Sequence, residues 1–312
     1  MYFPFLRGKQ FELIALREMC DFMSSNKTKV SPIIEPVKDS STLKSTLRAL
    51  AIRDVNFNVV INPRVGDLQD ETELIIKLLE ETLSGYNNFQ PAIIITQNNR
   101  PTVILDLLKK SKLKFQGITF MHYSTRDGIA ESLKDVSDDF TIVNNVIHLD
   151  KTGKRYYREF DLTTRVSLGD YFDMKDKNAD YLEVDSFFSD EHLYFKDEGY
   201  KGFSDFLTIG EDYSEAGFLP RAVAIHLSYI ASDNKIRVKH FVSDSNEDTS
   251  DIGGKFEEAL GKLILWVNSK NIDSLAIRSF KELGESGHFP GLGTLKKLSA
   301  MNHIEMSVNS FK

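Results

Sequence analysis

Charged and polar side chains stand wherever a short apolar run of this chain ends, and they are its best candidates for chemistry. In chain order they are Arg7, Lys9, Glu35, Lys38, Asn62, Arg64, Gln97, His122, Asp150, Lys151, Asp170 and Asp212. Arginine and lysine side chains bind phosphates and carboxylates, whereas a carboxylate or an imidazole can transfer protons. The set therefore predicts an anion-binding site that also contains acid–base groups.

Glu35 and His122 are the two residues predicted to be catalytic. Glu35 lies between an isoleucine and a proline, where partial desolvation is expected to raise the pKa of its carboxyl group. His122 follows the apolar stretch GITFM and could act as a general base. Each residue also has an interpretation without a catalytic role. Glu35 could form an ion pair with Lys38 or Arg64, and His122 could be a hydrogen-bonded structural residue at a strand end.

Ligand binding is predicted for the remaining run ends. Four basic residues come from the first three runs, which are neighbours in a barrel and could hold a phosphate or carboxylate together. The predicted ligand-binding residues are Arg7, Lys9, Lys38, Asn62, Arg64, Gln97, Asp150 and Asp170. The alternative is that these loops are polar because they are exposed, with their charges paired among themselves.

The elements that position these residues follow a repeat. The ends of successive runs lie about 25 to 35 residues apart, with amphipathic helical segments between them. A (β/α)8 barrel has a repeat of about 31 residues, and a doubly wound sheet has a similar one. Six units follow one another, further candidate strands lie at 165–169 and 206–209, and no glycine-rich phosphate loop follows the first strand. These features favour an α/β fold of the (β/α)8 TIM-barrel-like type, irregular in its last third.

Two additions to this barrel are predicted within a single barrel-like domain over residues 1–312. Residues 178–203 mix aromatic and acidic side chains, which is typical of a lid or an interaction insertion, although a plain crossover helix is the alternative. Several of these aromatics, Phe187 and Phe188 among them, are expected to stay partly exposed. Residues 221–312 are predicted to add a β-hairpin and C-terminal helices.

His226 and His240 lie on the two strands of the predicted hairpin. A two-residue turn at Asp233 and Asn234 would place the rings on opposite faces, whereas a three-residue turn would place them on one face. Only the second arrangement allows a shared metal ion, and a third ligand would still be needed. We therefore predict no metal site, and the absence of known sequence motifs predicts no cofactor.

The composition limits the class of protein. The chain has 312 residues, of which 41% are hydrophobic, and a net charge of −7. This balance is globular and argues against general duplex binding, but it leaves nucleic acid open because a local basic patch could exist. A single cysteine excludes an intrachain disulfide, and no apolar leader or run of about 18 apolar residues occurs. We expect a cytoplasmic protein that does not contact membranes.

Four stretches carry a resemblance to a known family. They are MYFPFLRGKQFELIALRE, SPIIEPVK, DYSEAGFLPRAVAIHLSYI and RVKHFVSD. Together they resemble the "beta protein" family of bacteria, their phages and mobile elements. The resemblance implies a bacterial accessory gene, connected with phage conflict and acting with a partner protein, and it carries over no catalytic residue.

Two functions are consistent with these observations. The first is an accessory protein of a bacterial mobile-element or phage-defence module, which acts through a protein partner or as a homo-oligomer and binds an anionic ligand at the barrel mouth. The second is a hydrolase of a phosphate-containing substrate, with Glu35 and His122 as acid and base. Convergence of Glu35, His122 and Arg64 on one point would favour the hydrolase.

Overall fold

The computed structural model of the protein describes residues 1–136, 139–215 and 219–311. By internal contacts the chain forms two compact units. The first contains Met1–Gly169 and Leu193–Asp205, and the second contains Asp170–His192 and Phe206–Lys312. Parts of the predictions above that touch residues 137, 138, 216–218 and 312 lie outside the described residues.

The first unit is a closed barrel of eight parallel strands. In barrel order the strands are β1 (Tyr2–Arg7), β2 (Ile33–Glu35), β3 (Phe57–Val60), β4 (Phe89–Ile95), β5 (Ile118–His122), β6 (Ile142–His148), β7 (Arg165–Gly169) and β9 (Gly202–Asp205). The first six lie side by side in chain order, as the spacing of the run ends predicted. Pairing of β9 with both β7 and β1 closes the sheet, so the predicted (β/α)8 TIM-barrel-like fold is confirmed.

Amphipathic helices connect the strands of the barrel. They are α1 (Gln10–Glu18), α2 (Cys20–Ser25), α3 (Ser41–Ile52), α4 (Thr72–Thr82), α5 (Pro101–Lys110) and α6 (Ile129–Val136), followed by a 3-10 turn at Tyr156–Glu159. Helix α3 begins at a capping serine: the Ser40 hydroxyl accepts a hydrogen bond from the Leu43 backbone N–H at 3.1 Å. The apolar stripe of each helix then packs on the outside of the sheet.

The sequence predicts the eighth barrel strand at the apolar stretch 206–209. This position is wrong, because that stretch is not part of any barrel strand. The strand is β9, four residues earlier, and the apolar stretch forms a buried turn in which Leu207 has a φ of 54°. A left-handed φ cannot occur in an extended strand. Gly202 fits the barrel because a Cβ atom there would lie 2.8 Å from the Phe3 ring. Burial alone therefore does not identify a strand.

The inner face of the barrel is identified by side chains that meet across it. Asn58 of β3 accepts hydrogen bonds from Thr119 of β5 at 2.5 Å and from Asn144 of β6 at 3.3 Å. Since β3 is a neighbour of neither β5 nor β6, only the concave side of the closed sheet can bring these side chains together. Side chains alternate along each strand, so these three residues fix which residues face inward.

The second unit contains an antiparallel sheet of three strands. In sheet order they are β10 (Ala224–Ile230), β11 (Ile236–Val242) and β8 (Asp185–Ser189). The helices are α8 (Ile252–Lys270), α9 (Leu275–Ser286) and α10 (Leu292–Asn309). Asn302 connects α10 with both α9 and β10. It accepts a hydrogen bond from Ser274 at the start of α9 and donates one to the Ser228 carbonyl of β10. The predicted hairpin and C-terminal helices are present.

The segment 178–203 is neither a single crossover helix nor a stretch of exposed aromatics throughout. It contains a 3-10 turn at Asn178–Tyr181, the strand β8, and the short helix α7 (Glu191–Tyr194) before it enters β9. Phe187 is 49% exposed, whereas its neighbour Phe188 is only 2% exposed. The expectation of partial exposure is therefore met by Phe187 and wrong for Phe188, because adjacent residues of a strand face opposite sides.

Candidate functional site

Arg7 and Glu35 lie on the inner face, at the carboxyl ends of β1 and β2. The register pairs Arg7 with Glu35 and Ile33 with Asn58, which places both charged side chains on the face that Asn58 marks. They form an ion pair whose side chains are 7% and 0% exposed. The carboxyl ends of the strands form the end of a (β/α)8 barrel where ligands bind. This pair is therefore a buried charge centre at the barrel mouth.

Arg64 extends this centre toward the loops. Its backbone N–H donates a hydrogen bond of 2.7 Å to Glu35 Oε1, and its guanidinium group lies 4.4 Å from the centre of the Tyr123 ring. The Tyr123 ring packs edge-on against His148, with 5.0 Å between ring centres. Tyr123 and His148 are buried, whereas Arg64 is exposed. We call Arg7, Glu35, Arg64, Tyr123 and His148 the mouth cluster.

His122 is not part of the mouth cluster. It is three positions beyond the inward-facing Thr119, so it faces outward toward the helices. Its ring nitrogens contact the Tyr156 hydroxyl and Asn145 Oδ1, both at 3.0 Å. Burial lowers the pKa of His122 to about 4, opposed by the hydrogen bond to Asn145. The imidazole is thus neutral and held by structural contacts, apart from Glu35.

Asn62 and Gln97 use their amide groups in contacts between loops and strands. Asn62 both donates to the carbonyl of Ile94 and accepts from its N–H, each at 2.8 Å, so its side chain continues the pairing of β3 with β4. Gln97 donates to the Thr125 carbonyl at 2.6 Å and joins the loops that follow β4 and β5. Both residues stand at the predicted end of the barrel, where they shape the loops around the mouth.

Four further predicted residues lie at run ends of the first unit, on loops or turns. The Lys38 ammonium is 3.7 Å from Asp67 in an exposed ion pair. Lys9 precedes α1 and is half-buried, and Asp150 and Lys151 lie in the exposed turn after β6.

Asp170 directly follows β7 and belongs to the second unit. Its carboxylate accepts hydrogen bonds from the backbone N–H groups of Phe172 at 3.3 Å and Glu211 at 2.8 Å. Burial raises the pKa of this carboxyl group, and the two hydrogen bonds oppose that effect. The contacts explain Asp170 as a residue that fixes the loop containing Glu211; Asp212, on the same loop, is exposed.

The two hairpin histidines of the second unit lie on one face. Residues 232–234 form a three-residue turn, and the register pairs His226 directly with His240. Their Nδ1 atoms are 2.7 Å apart, and His240 Nε2 is 3.0 Å from the Ser186 hydroxyl. The three-residue alternative is therefore the correct one. Within the described residues, no group of three or more His, Cys, Asp or Glu side chains is arranged to hold a metal ion.

The histidine pair should make the second unit sensitive to acid. Burial lowers the pKa of His226 to about 3 and that of His240 to about 4, from an ordinary value of 6.5. Between pH about 6.5 and about 4 the unfolded chain binds more protons than the folded one, so the free energy of unfolding falls as the pH falls. Urea denaturation, followed by fluorescence of the chain's single tryptophan, Trp266 on α8, measures this fall.

A variant without the pair tests the assignment. The double substitution His226→Leu with His240→Leu should reduce the change in urea midpoint between pH about 7 and about 4.5. A midpoint that falls equally in both proteins would show that other groups cause the acid sensitivity. The buried His122 of the first unit remains in both proteins and provides a constant background.

Tyr123 and His148 are the site residues that the sequence did not single out. Both stand at run ends, but the sequence favours His122 over its neighbour Tyr123 because an imidazole can act as a general base near neutral pH. Strand alternation provides the missing signal, since His148 is four residues after Asn144 and faces inward with it. That signal can be used only when one inward-facing residue of the strand is known.

The closed barrel defines the class of the first unit, a parallel (β/α)8 barrel with a charged centre at the carboxyl ends of its strands. Comparison with protein families and with curated proteins finds no match, and no solved structure matches either. The fold assignment therefore rests on the closure and register of the strands themselves. In the described residues, no helix has the length and apolar character needed to cross a membrane.

Proposed function

We propose that the protein binds an anionic ligand, a phosphate or a carboxylate, at the barrel mouth. The observation that carries the proposal is the mouth cluster, where Glu35 binds the Arg7 guanidinium and the Arg64 backbone N–H, and the Arg64 guanidinium lies over the Tyr123 ring. Arg7 is buried and fixed, whereas Arg64 is exposed and can reach a ligand. A positive charge that is already oriented loses little freedom when an anion binds.

The wider role that we propose is an accessory protein of a bacterial mobile-element or phage-defence module. It rests on the resemblance of four stretches of the chain to the "beta protein" family. A protein partner, or a second copy of the chain, is part of this proposal. Exposed aromatic side chains support it: Phe187 in the second unit is 49% exposed, and Tyr194 in the first is 48% exposed.

The alternative of a phosphate hydrolase has less support from the geometry. Its acid and base were Glu35 and His122, which lie on opposite faces of the barrel sheet. The contacts of Glu35 are with Arg7 and Arg64, and those of His122 are with Tyr156 and Asn145. A general acid and a general base must both lie within hydrogen-bond reach of the same substrate, which groups on opposite faces of the sheet do not. Binding without hydrolysis is therefore the function that we propose.

Calorimetry with inorganic phosphate tests the mouth site. Arg64→Ala keeps the backbone N–H that binds Glu35 but removes the exposed guanidinium group. Because hydrogen bonds to charged groups contribute about 1.5–3 kcal/mol, we expect phosphate affinity to fall at least about tenfold.

The control for this experiment is Arg48→Ala, which removes an exposed arginine from α3. It should leave phosphate affinity unchanged if binding depends on position and not on net charge. Absence of phosphate binding in the wild-type chain would contradict the proposal, as would equal losses in the two variants.

A further inference from the structure

A cleft separate from the mouth cluster lies between α5 and α6 of the first unit. It has a volume of about 180 Å³. Its apolar walls are formed by Pro101, Leu105, Ile129 and Leu133, and its polar lining by Arg100, Thr102, Arg126, Asp127 and Ser132. The apolar residues Leu105, Ile129 and Leu133 are each no more than 4% exposed, so they form the buried bottom of the cleft.

Arg126 is fixed in the lining by contacts at both its ends. Its guanidinium Nη1 donates to the Asn99 carbonyl at 2.7 Å and to the Thr96 carbonyl at 3.4 Å, in the loop between β4 and α5. Its backbone forms a hydrogen bond with the Tyr156 hydroxyl, which in turn contacts His122. A guanidinium group has five donors, so these two carbonyl contacts leave it further donors for a ligand.

The charges of the lining favour a monoanion. Arg100 and Arg126 bring two positive charges, and Asp127 brings one negative charge. The Asp127 charge is also felt by Glu159, whose carboxyl pKa is raised by burial first and by Asp127 second. Two arginines against one aspartate match the single charge of one carboxylate, which one or both guanidinium groups can hold.

The volume sets the size of the apolar part of the ligand. A cavity of about 150 Å³ lined by apolar side chains accommodates benzene. A cleft of about 180 Å³ with an apolar floor and an arginine rim therefore fits a ring or a short branched chain bearing one carboxylate.

We propose that the cleft between α5 and α6 binds a small organic acid, with its apolar body on Leu105, Ile129 and Leu133 and its carboxylate on Arg100 and Arg126. This is a second ligand site, independent of the anion site at the mouth. No residue of the mouth cluster lines it.

Ligand-observed NMR titration with benzoate and benzamide tests the proposal on the full chain. The two compounds have nearly the same size and differ in charge. Benzoate should bind at least about tenfold more tightly than benzamide, since one charged hydrogen bond is worth that factor. All titrations use chains that carry Arg64→Ala, so that carboxylate binding at the mouth does not contribute. In this background Arg100→Gln should remove the preference, whereas Arg48→Ala, at an exposed arginine of α3 outside both sites, should leave it unchanged.

Filling the cleft separates specific binding from general attraction. Ser132→Trp, on the exposed side of α6, should abolish benzoate binding, and Glu131→Trp at the adjacent exposed position should not. The slow reaction of the buried thiol of Cys20 shows that each variant keeps the barrel folded. Three outcomes in the chain carrying Arg64→Ala would overturn the proposal: no benzoate binding, equal binding of benzamide, or benzoate binding that survives Ser132→Trp.

Discussion

Glu35→Gln should destabilise the barrel by about 3–5 kcal/mol, because it removes one charge of the buried ion pair between Arg7 and Glu35. The substitution keeps the shape of the side chain and an oxygen that can still accept the Arg64 N–H. The Arg7 side chain is only 7% exposed and cannot be rehydrated without opening the mouth. Urea denaturation followed by labelling of Cys20, which is 5% exposed and has a pKa raised by burial to about 11, measures the loss.

A second substitution separates the charge from the packing. In the double variant Arg7→Met with Glu35→Gln both charges of the buried pair are gone, so much of the lost stability should return. Asp67→Asn, which breaks the exposed ion pair with Lys38, should cause no measurable change. Equal stabilities of the single and double variants would show that the buried charge is not what destabilises Glu35→Gln.

Phe188→Ala should destabilise the second unit by about 3–5 kcal/mol, whereas Phe187→Ala should have little effect. The Phe188 ring is buried against Ile236 and Val238 and lies 4.7 Å from the His303 ring. Its removal leaves a cavity in addition to the lost apolar burial. Urea denaturation followed by Trp266 fluorescence reports on this unit, since Trp266 contacts β10 and β11 through Tyr229 and Phe241.

The two phenylalanines also separate stability from association. Phe187 is half-exposed, with the Lys235 ammonium 5.6 Å from the centre of its ring. If it contributes to a partner surface, Phe187→Ala should weaken binding or self-association at unchanged urea midpoint. Similar destabilisation by both substitutions would contradict the difference in burial.

The sequence by itself determined the repeat of strands and helices. Short apolar runs, capping residues such as Ser40 and the spacing of the run ends are local properties. The strands of three to seven residues and the helices form largely from their own residues. Six consecutive units then leave few topologies, because parallel strands joined by helices have one handedness. The barrel class and the position of Arg7, Glu35 and Arg64 at its mouth followed from this pattern.

The identity of the aromatic and imidazole groups at the mouth was decided only by the tertiary structure. Sequence places His122 and His148 alike, at the ends of β5 and β6, but one faces the helices and the other the barrel interior. The difference depends on a register shift between Ile118 and Thr119, where β5 pairs with β6. A shift of one residue exchanges the two faces of a strand. The register of β5 is fixed by contacts between strands far apart in the chain, such as the hydrogen bond of Asn58 with Thr119, and therefore by closure of the barrel.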